Sequence, residues 1–331
     1  MKVGLFLNTQ FPLGTDMQAR VPEMVEQVRT ARDCGFSSLW FPHHYVTAPL
    51  QMFQLTALLP FLLAEAKGMT VGGDIIILPL LHPVSVAEEA ATLDVLSGGN
   101  YVLGVGLGYR APEFASFGIS LAERAPRFSE SIGLIRRLWT EDRVTHKGKF
   151  YTVENAGISI KPLQAGGPPI WIAAKVEAAL KRAARIGDAW LIVPSSTLAD
   201  LVPQMRFYRD ALRTFGKPEP SDFPLTRECF VGTSQATAME ECREALTFKY
   251  KAYASWGLYG AATEFSIDEF ARDRFIIGDE AFVAAEITRY RETLGVNHFI
   301  MRMQWPGLPQ ERVLHSIRAL GRIFARAKGE K

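Results

Sequence analysis

Eight short apolar segments, separated by longer segments with helical periodicity, constrain the fold of this 331-residue chain more than any other feature. The predicted strands are residues 3–7, 38–41, 69–74, 101–106, 169–174, 189–193, 225–232 and 298–303. Nearly all are apolar throughout rather than alternating, which is typical of parallel strands covered on both faces. Helical patterns lie between them, as at Val21, Met24, Val25 and Val28. Eight such β-α units predict a closed (β/α)8 barrel, the TIM-barrel architecture.

The chain is longer than a minimal barrel, and two segments without the β-α rhythm account for the difference. A TIM barrel needs about 250 residues, which leaves about 80 for insertions. We place insertions at residues 141–168, between strands four and five, and at residues 255–277, between strands seven and eight. Long segments on the working face of a barrel often act as lids. The alternative is an open doubly wound sheet, which needs fewer strands and a second domain. No Pro- or Ser-rich linker divides the chain, so we expect one domain over residues 1–331.

Composition and charge argue against several classes of protein. The 37 Lys and Arg and 35 Asp and Glu residues leave a net charge of +2, and no block of like charge suggests nucleic-acid binding. Cys34, Cys229 and Cys242 are too widely spaced for a disulfide framework or a zinc ribbon. The first residues have too short an apolar core for a signal peptide, and the most apolar stretch, residues 55–66, is too short for a membrane helix. We therefore expect a soluble cytoplasmic protein.

The positions just beyond the C-terminal ends of the predicted strands form the candidate site, because that end of a TIM barrel carries the working groups. The positions are Asn8 to Gln10, His43 to Tyr45, Asp74, Leu107 to Arg110, Lys175 with Val176, and Gln304 with Trp305.

Two adjacent histidines are the most specific of these signals. His43 and His44 point to opposite sides of an extended segment, so one of them is expected to face the barrel axis. An imidazole titrates near neutral pH and is suited to general acid–base catalysis. The alternative is a histidine that only hydrogen-bonds a loop carbonyl, and the barrel rule alone favours neither role.

The sequence supports neither a metal site nor a dinucleotide-binding motif. The other histidines are scattered, and neither His-x-His nor His-Glu-x-x-His occurs, so we expect no metal site. The run from Gly104 to Gly108 fails as a dinucleotide fingerprint, because Tyr109 stands where the third glycine is needed. These glycines, and Gly72 with Gly73, indicate close packing or a bare backbone surface for a flat ligand. Any reducing equivalents must therefore come from elsewhere than a nicotinamide bound on its own mononucleotide fold.

Lys175 lies between strand five and a helix that begins near Glu177. The free N–H groups at a helix start and the added positive charge together suit an anion. The alternative is a solvated surface lysine.

Several segments of the chain share the motifs of one known family. They are residues 78–83, 87–99 and 103–109, Glu113 with Phe114, Glu123 with Arg124, Arg127 with Phe128, and residues 167–174, 184–188 and 295–300. Together they strongly resemble the bacterial luciferase-like flavin-dependent monooxygenases. The resemblance spans essentially the whole chain and is specific for the superfamily, but it does not identify a substrate.

The resemblance implies a (β/α)8 barrel that holds reduced FMN at the C-terminal ends of its strands. In that family oxygen adds to the reduced flavin to give a C4a-peroxyflavin, which oxygenates an organic substrate. A separate NAD(P)H:flavin reductase usually supplies the reduced FMN, in agreement with the missing nicotinamide motif. Some relatives instead use the deazaflavin F420 and transfer hydride without oxygen. The alternatives are therefore an F420-dependent oxidoreductase and a non-catalytic flavin-binding protein.

By position, the resemblance makes His44 the catalytic acid–base residue near the reactive edge of the flavin, with His43 as its structural neighbour. Asp74 and Ile75 fall where several relatives have a non-proline cis peptide beneath the flavin ring. The implied cofactor-binding residues are Asp74, Ile75, Leu107, Gly108, Tyr109, Ala174, Lys175 and Val176.

Three positions depart from the family pattern. Luciferase has a phosphate-contacting arginine where this chain has Leu107, and a phosphate-contacting serine where it has Val176. The arginine that often follows the Ser-Gly-Gly turn is Asn100 here. The first two departures remove side-chain ligands of the phosphate, and a charge-assisted contact is worth about 1.5–3 kcal/mol. We therefore expect weak FMN binding, which suits an enzyme that takes reduced flavin as a co-substrate and also keeps F420 possible.

Aromatic residues near the barrel mouth suggest a small apolar or aromatic substrate. The expected substrate-binding residues are Tyr45, Trp256 and Trp305, and the surrounding lining includes Phe11, Tyr109 and Tyr259. A predicted helix at residues 52–66 is apolar on more faces than one core requires. Barrels of this family commonly pair through helices next to strands two and three, so we expect a homodimer.

Overall fold

The computed structural model describes residues 1–257 and 266–329. Within these residues the strands are β1 (Lys2–Phe6), β2 (Gln10–Pro12), β3 (Ser38–Phe41), β4 (Leu50–Met52), β5 (Thr70–Gly73), β6 (Ile76–Ile77), β7 (Tyr101–Gly106), β8 (Val144–Lys147), β9 (Thr152–Ala156), β10 (Ile170–Ala174), β11 (Ala189–Ile192), β12 (Pro224–Val231), β13 (Ile276–Gly278) and β14 (His298–Arg302). The helices are α1 (Met17–Asp33), α2 (Leu55–Leu62), α3 (Pro83–Leu96), α4 (Ala111–Ser116), α5 (Arg124–Thr140), α6 (Glu177–Ile186), α7 (Leu198–Thr214), α8 (Gln235–Ser255), α9 (Ile267–Ala271), α10 (Glu280–Leu294) and α11 (Gln310–Lys328).

Eight of the strands form a closed parallel barrel. Their order is β1, β3, β5, β7, β10, β11, β12 and β14, and β14 pairs with β1 to close the sheet. Each of these strands overlaps one of the eight predicted segments, and the ends differ by no more than one residue. The TIM-barrel prediction is confirmed, and closure of the sheet excludes the open doubly wound alternative.

Side chains fill the middle of the barrel. Because successive residues of a strand point to opposite faces, Ser38 and Trp40 of β3 lie inside while Leu39 and Phe41 pack outward against the helices. The indole of Trp40 stacks on that of Trp171, with ring centroids 4.9 Å apart. The barrel is therefore a packed core, and a ligand is restricted to its two ends.

The first insertion forms the β8–β9 hairpin and folds back along α5. The partly buried carboxylate of Glu130 accepts the N–H groups of Phe150 and Tyr151 and faces Nε2 of His146 at 3.0 Å. The second insertion contains α9 and β13, and β13 pairs with β12. Residues 258–265 of this insertion lie outside the described part of the chain.

The helix predicted at residues 52–66 is shorter than expected. The backbone of Gln10–Pro12 pairs antiparallel with Leu50–Met52, so the first residue of the predicted helix belongs to a strand. The helix itself runs only over Leu55–Leu62 and has Pro60 inside it. Apolarity alone could not separate these two states, because the partner strand is distant in the sequence.

No helix in residues 1–257 and 266–329 combines the length and the apolar character that a bilayer crossing requires.

Candidate active site

A cavity of about 430 Å³ opens at the carboxyl ends of the barrel strands. Every residue predicted as catalytic or cofactor-binding lines it: His44, Asp74, Ile75, Leu107, Gly108, Tyr109, Ala174, Lys175 and Val176. These residues lie at or just beyond the carboxyl ends of β3, β5, β7 and β10, which meet at one end of the barrel. No residue of the first insertion contributes to the lining, so that insertion does not act as a lid over this cavity.

His44 is anchored by a buried carboxylate. Its Nδ1 lies 2.9 Å from Oε1 of Glu113, on the short helix α4, and Glu113 is fully buried. The backbone N–H of Tyr45 donates to the same oxygen at 2.9 Å. Burial alone would raise the pKa of Glu113, but the His44 and Tyr45 hydrogen bonds and the charge of Arg110 outweigh it and lower that pKa. Because Nδ1 faces a carboxylate, Nε2 of His44 is the nitrogen left for chemistry.

Arg110 ties this pair to the loop after β3. Its guanidinium lies 3.3 Å from Oε1 of Glu113 and donates to the carbonyls of Tyr45 and Val46 at 2.7 and 3.0 Å. It also lies over the indole of Trp256, 4.1 Å from the ring centroid. Arg110 therefore fixes the backbone that carries His44 as well as the carboxylate that orients it.

His43 has a structural environment. It is 2% exposed, and its Nδ1 accepts the backbone N–H of Ile77 at 3.1 Å. Burial, and then the neighbouring His44, lower the pKa of His43 to about 4. A neutral imidazole that supports the loop after β5 agrees with its interpretation as the structural neighbour.

One wall of the cavity consists of backbone and small side chains. The Asp74–Ile75 peptide bond is cis, as the family resemblance implies. A Cβ atom on Gly106 would lie 2.6 Å from Cδ1 of Ile75, and one on Gly108 would lie 2.6 Å from Cγ2 of Ile77. Only glycine therefore lets these isoleucines take their places beside the end of β7. Gly72 and Gly73 do not line the cavity, since each sits against neighbouring side chains of the fold.

Cations gather at another edge of the cavity. Lys175 is exposed beside the start of α6, and Arg124 at the start of α5 also lines the cavity. Burial, and then the positive charges of Arg185 and Arg124, lower the pKa of Arg182 on α6. Arg124, Lys175 and Arg182 form no salt bridge with any residue in the described part of the chain. The first turn of α6 also presents N–H groups that lack helical partners, so this edge is suited to an anion.

The predicted substrate residues occupy different places. Tyr45 packs on His43 with ring centroids 4.7 Å apart, and Trp256 lies 5.7 Å from the His44 ring, so both adjoin the cavity without lining it. Trp305 is fully buried and its indole N–H donates to Glu228, so its position is a correction to the predicted lining. Because Trp305 follows β14, the sequence predicted a position at the barrel mouth. In the structure the indole is instead buried, where it donates a hydrogen bond to the buried carboxylate of Glu228.

The remaining aromatic residues of the predicted lining also separate. Tyr109 lines the cavity, while Phe11 is 4% exposed and packs edge-on against Phe53. Tyr259 lies outside the described residues.

Four ionisable residues that line or support the cavity were not predicted as site residues from the sequence. Glu113 and Arg124 stood within the family motifs, which was a usable signal. Tyr253 and Arg302 also line the cavity, but Tyr253 lies on α8 and Arg302 ends β14. Nothing in their local sequence marks them.

A second cavity, of about 550 Å³, lies at the amino ends of the strands. Its lining includes His298, which bridges Oγ of Ser38 at 2.7 Å and Oδ1 of Asp222 at 3.2 Å. Ser38 is fully buried and does not line this cavity, so the arrangement offers no accessible nucleophile. Polar groups at this end of a TIM barrel generally serve stability.

The first cavity fits a flat ring with an anionic tail. Ile75, Ile77, Leu107, Ala173 and Val193 provide apolar surface for the ring. The positively charged edge at Lys175 and Arg124 suits a phosphate group. His44 also lines the cavity, apart from these two cations. Among the described residues no group of three His, Cys, Asp or Glu side chains is placed to hold a metal ion.

The chain is similar in sequence to several known proteins. A protein of Sinorhizobium fredii is 32% identical over 224 residues, which are 64% of this chain and 61% of that relative. The F420-dependent glucose-6-phosphate dehydrogenase of Amycolatopsis mediterranei is 28% identical over 90% of this chain and 95% of its own length. The oxygenase component of the flavin-dependent trigonelline monooxygenase of Acinetobacter baylyi is 25% identical over 77% of this chain and 72% of its own.

A solved structure shares the fold, and a family model identifies the family. The oxygenating constituent of 3,6-diketocamphane monooxygenase of Pseudomonas putida, solved with FMN, superposes with a TM-score of 0.83 over 98% of both chains at 18% identity. The family model described as luciferase-like monooxygenase matches residues 1–298. The chain therefore belongs to the luciferase-like monooxygenase family.

Proposed function

We propose that this protein is the oxygenase component of a two-component monooxygenase that uses reduced FMN and O2 to oxygenate a small apolar or aromatic substrate. The observation that carries the proposal is the composition of one cavity, which combines an apolar ring site, a cationic edge and an imidazole held by a buried carboxylate. A flavin bound there supplies the electrons with which O2 is activated.

Different cavity residues bind the flavin ring and its phosphate-bearing side chain. The apolar wall of Ile75, Leu107 and Ala174 excludes water from the ring. Lys175, Arg124 and the first turn of α6 hold the phosphate, in place of the arginine and serine that Leu107 and Val176 replace. Arg124 in particular restores a guanidinium at the phosphate edge.

His44 holds or moves a proton at Nε2. The Glu113 carboxylate keeps Nδ1 oriented and stabilises the imidazolium when Nε2 is protonated, since the opposite charge lies 2.9 Å away. This is the arrangement of an acid–base group whose ring cannot turn.

A second candidate, an F420-dependent oxidoreductase, is favoured by a specific observation. The relative from Amycolatopsis mediterranei, named F420-dependent, aligns over more of this chain than the trigonelline monooxygenase component does. Parallel titrations with FMN and with F420, each oxidised and reduced, separate the two: micromolar binding of F420 alone would replace our first proposal with the second.

The direct test of the first proposal is oxygen chemistry with reduced FMN. Under anaerobic conditions the protein is expected to bind reduced FMN, and on mixing with O2 the flavin should reoxidise at a rate different from that of free reduced FMN. An added NAD(P)H:flavin reductase should sustain turnover. Reoxidation at the free-solution rate, with no binding, would refute the proposal.

Matched lysine variants test the phosphate edge. Lys175→Met is expected to weaken FMN binding about tenfold, the effect of losing one charge-assisted contact. Lys147→Met, on the exposed β8–β9 hairpin, removes the same charge outside the cavity and is expected to leave affinity unchanged. Equal effects of the two variants on FMN affinity would refute the proposal that the phosphate binds at this edge.

We also propose a homodimer that forms through α2 and α3. Phe61 on α2 and Leu96 on α3 are 59% and 60% exposed, and an apolar groove lies between the two helices. Burying such surface is favourable in proportion to its area. Light scattering at micromolar concentration should give twice the chain mass, and Phe61→Lys should shift the protein towards the monomer. A monomeric wild-type protein would refute this proposal.

A further inference from the structure

The cavity contains a buried cation that the chemistry described above does not use. Arg302 lines the cavity and is only 7% exposed. Its guanidinium lies over the ring of Phe6, 3.8 Å from the centroid, and its Nη1 donates to Oε1 of Glu228 at 3.1 Å. Its Nε is buried and has no hydrogen-bond partner among the described residues. Because the side chain lines the cavity, its positive charge acts at short range on a ligand that occupies the cavity.

Glu228 fixes the position of this guanidinium. Its Oε1 accepts hydrogen bonds from Lys249, Tyr250 and Arg302, and its Oε2 accepts one from Trp305. Glu228 is fully buried, and with four donors around it the carboxylate has no freedom to turn. Arg302 is therefore held at one place in the cavity lining.

Of the two buried basic residues beside Glu228, Arg302 and Lys249, Arg302 is the one that keeps its positive charge. Burial would lower the pKa of Arg302, but Glu228, with smaller contributions from Tyr253, Tyr250 and Asp74, outweighs it and raises that pKa. Burial, and then the charge of Arg302, lower the pKa of Lys249 to about 7. Asp74 is the opposing group in the lining, where its Oδ2 accepts from Oγ1 of Thr226 at 2.5 Å. Arg302 and Asp74 thus place opposite charges in the same cavity.

We propose that Arg302 binds the negatively charged, reduced form of the flavin ring and thereby raises the reduction potential of bound FMN, while Asp74 opposes it. The inference rests on the proposed function. Reduction of the oxidised ring by one hydride equivalent, two electrons and one proton supplied by the NAD(P)H:flavin reductase, adds one negative charge to the ring. A fixed guanidinium beside the ring stabilises that added charge, and a carboxylate beside it disfavours it.

The experiment measures affinities of both redox states, which report on the cofactor without turnover. Oxidised FMN and anaerobically reduced FMN are titrated into the wild type, Arg302→Met and Asp74→Asn. Arg302→Met should weaken reduced FMN at least tenfold relative to oxidised FMN, which lowers the two-electron potential by about 30 mV. Asp74→Asn has nearly the same shape and should shift the ratio in the opposite direction.

Two further variants separate charge from structure. Lys175→Met, at the phosphate edge, should weaken both redox states by the same factor and leave the potential unchanged. Arg302→Lys keeps the charge and should retain most of the wild-type ratio. In Arg302→Met the Glu228 carboxylate keeps three donors, and thermal melts establish that the variant folds. If it does not fold, Asp74→Asn decides the matter: a shift towards tighter binding of reduced FMN supports the balance of charges, and no shift or the opposite shift refutes it.

The outcomes are distinguishable. A wild type that binds neither form of FMN refutes the proposed function. A wild type that binds both, with an unchanged ratio in Arg302→Met or with shifts of equal sign in Arg302→Met and Asp74→Asn, refutes the role of Arg302 and leaves the proposed function standing.

Discussion

Nδ1 of His44 lies 2.9 Å from Oε1 of Glu113, a carboxylate with no exposed surface. The two residues are far apart in the sequence, and α4 (Ala111–Ser116) brings Glu113 against the loop after β3. A carboxylate buried this deeply is expensive unless it is hydrogen-bonded and paired. Here His44, the N–H of Tyr45 and Arg110 all pair with one oxygen.

From this pair we predict unequal losses in two variants. His44→Asn should lower the rate of flavin reoxidation at saturating reduced FMN by about 100-fold or more, because a positioned acid–base group contributes about that much. Glu113→Gln keeps the shape but not the charge and should cost about tenfold. Stopped-flow measurements with O2 give both numbers. Full activity in His44→Asn would favour the non-catalytic flavin-binding alternative.

We predict that Asp74 makes stability fall as pH rises. Burial raises the pKa of Asp74 to about 6 from an ordinary value of 3.8. The folded state therefore binds this proton more tightly, and the free energy of unfolding decreases as pH rises through that range. Asp74→Asn removes the effect and should stabilise the protein at pH 8 by about 1–3 kcal/mol relative to wild type. Urea unfolding at pH 5 and pH 8 measures the difference.

A carboxylate at the other end of the barrel provides the control of opposite sign. Burial would raise the pKa of Asp222, but hydrogen bonds from His298 and Lys2 outweigh it and lower that pKa. The stability that Asp222 contributes is present at neutral pH and is lost as pH falls. Asp222→Asn should therefore destabilise the protein at pH 8, and the same sign for both variants would contradict the electrostatic account.

The corrected place of Trp305 gives a third prediction. Trp305→Phe removes a hydrogen bond to the buried carboxylate of Glu228 and should cost about 1–3 kcal/mol of stability. Trp256→Phe removes an indole bond to the carbonyl of Ala48 in a partly exposed place and should cost less than about 1 kcal/mol. Denaturant unfolding of both variants measures the two losses of stability. A larger loss in Trp256→Phe than in Trp305→Phe would contradict the buried position of Trp305.

Two glycine substitutions separate a close approach from a free helix surface. Gly106→Ala would place a methyl group 2.6 Å from Cδ1 of Ile75 and should push that side chain into the cavity, with a loss of about 1–3 kcal/mol and weaker FMN binding. Gly133→Ala lies in α5, where a Cβ meets nothing, and should stabilise the protein by about 0.5–1 kcal/mol. Thermal melts and an FMN titration check both, and an unchanged FMN affinity in Gly106→Ala would contradict the cavity wall described here.

The order of strands, the barrel and the end at which the cavity lies followed from the sequence. Apolar runs such as residues 101–106 are long enough to identify themselves as buried strands. Family motifs then placed His44, Asp74, Lys175 and their neighbours beside one another, and the cavity contains all of them.

Other features needed the folded chain. The strand pairing of Gln10–Pro12 with Leu50–Met52, the burial of Trp305 and the presence of Arg302 in the cavity each depend on contacts between residues far apart in the sequence. Local periodicity reports only which face of a segment is apolar. The energy of a charged group depends on its surroundings in space rather than on its neighbours in the sequence. Strands from the two ends of the chain pack together around Arg302, and this packing places its guanidinium beside a buried carboxylate instead of in water.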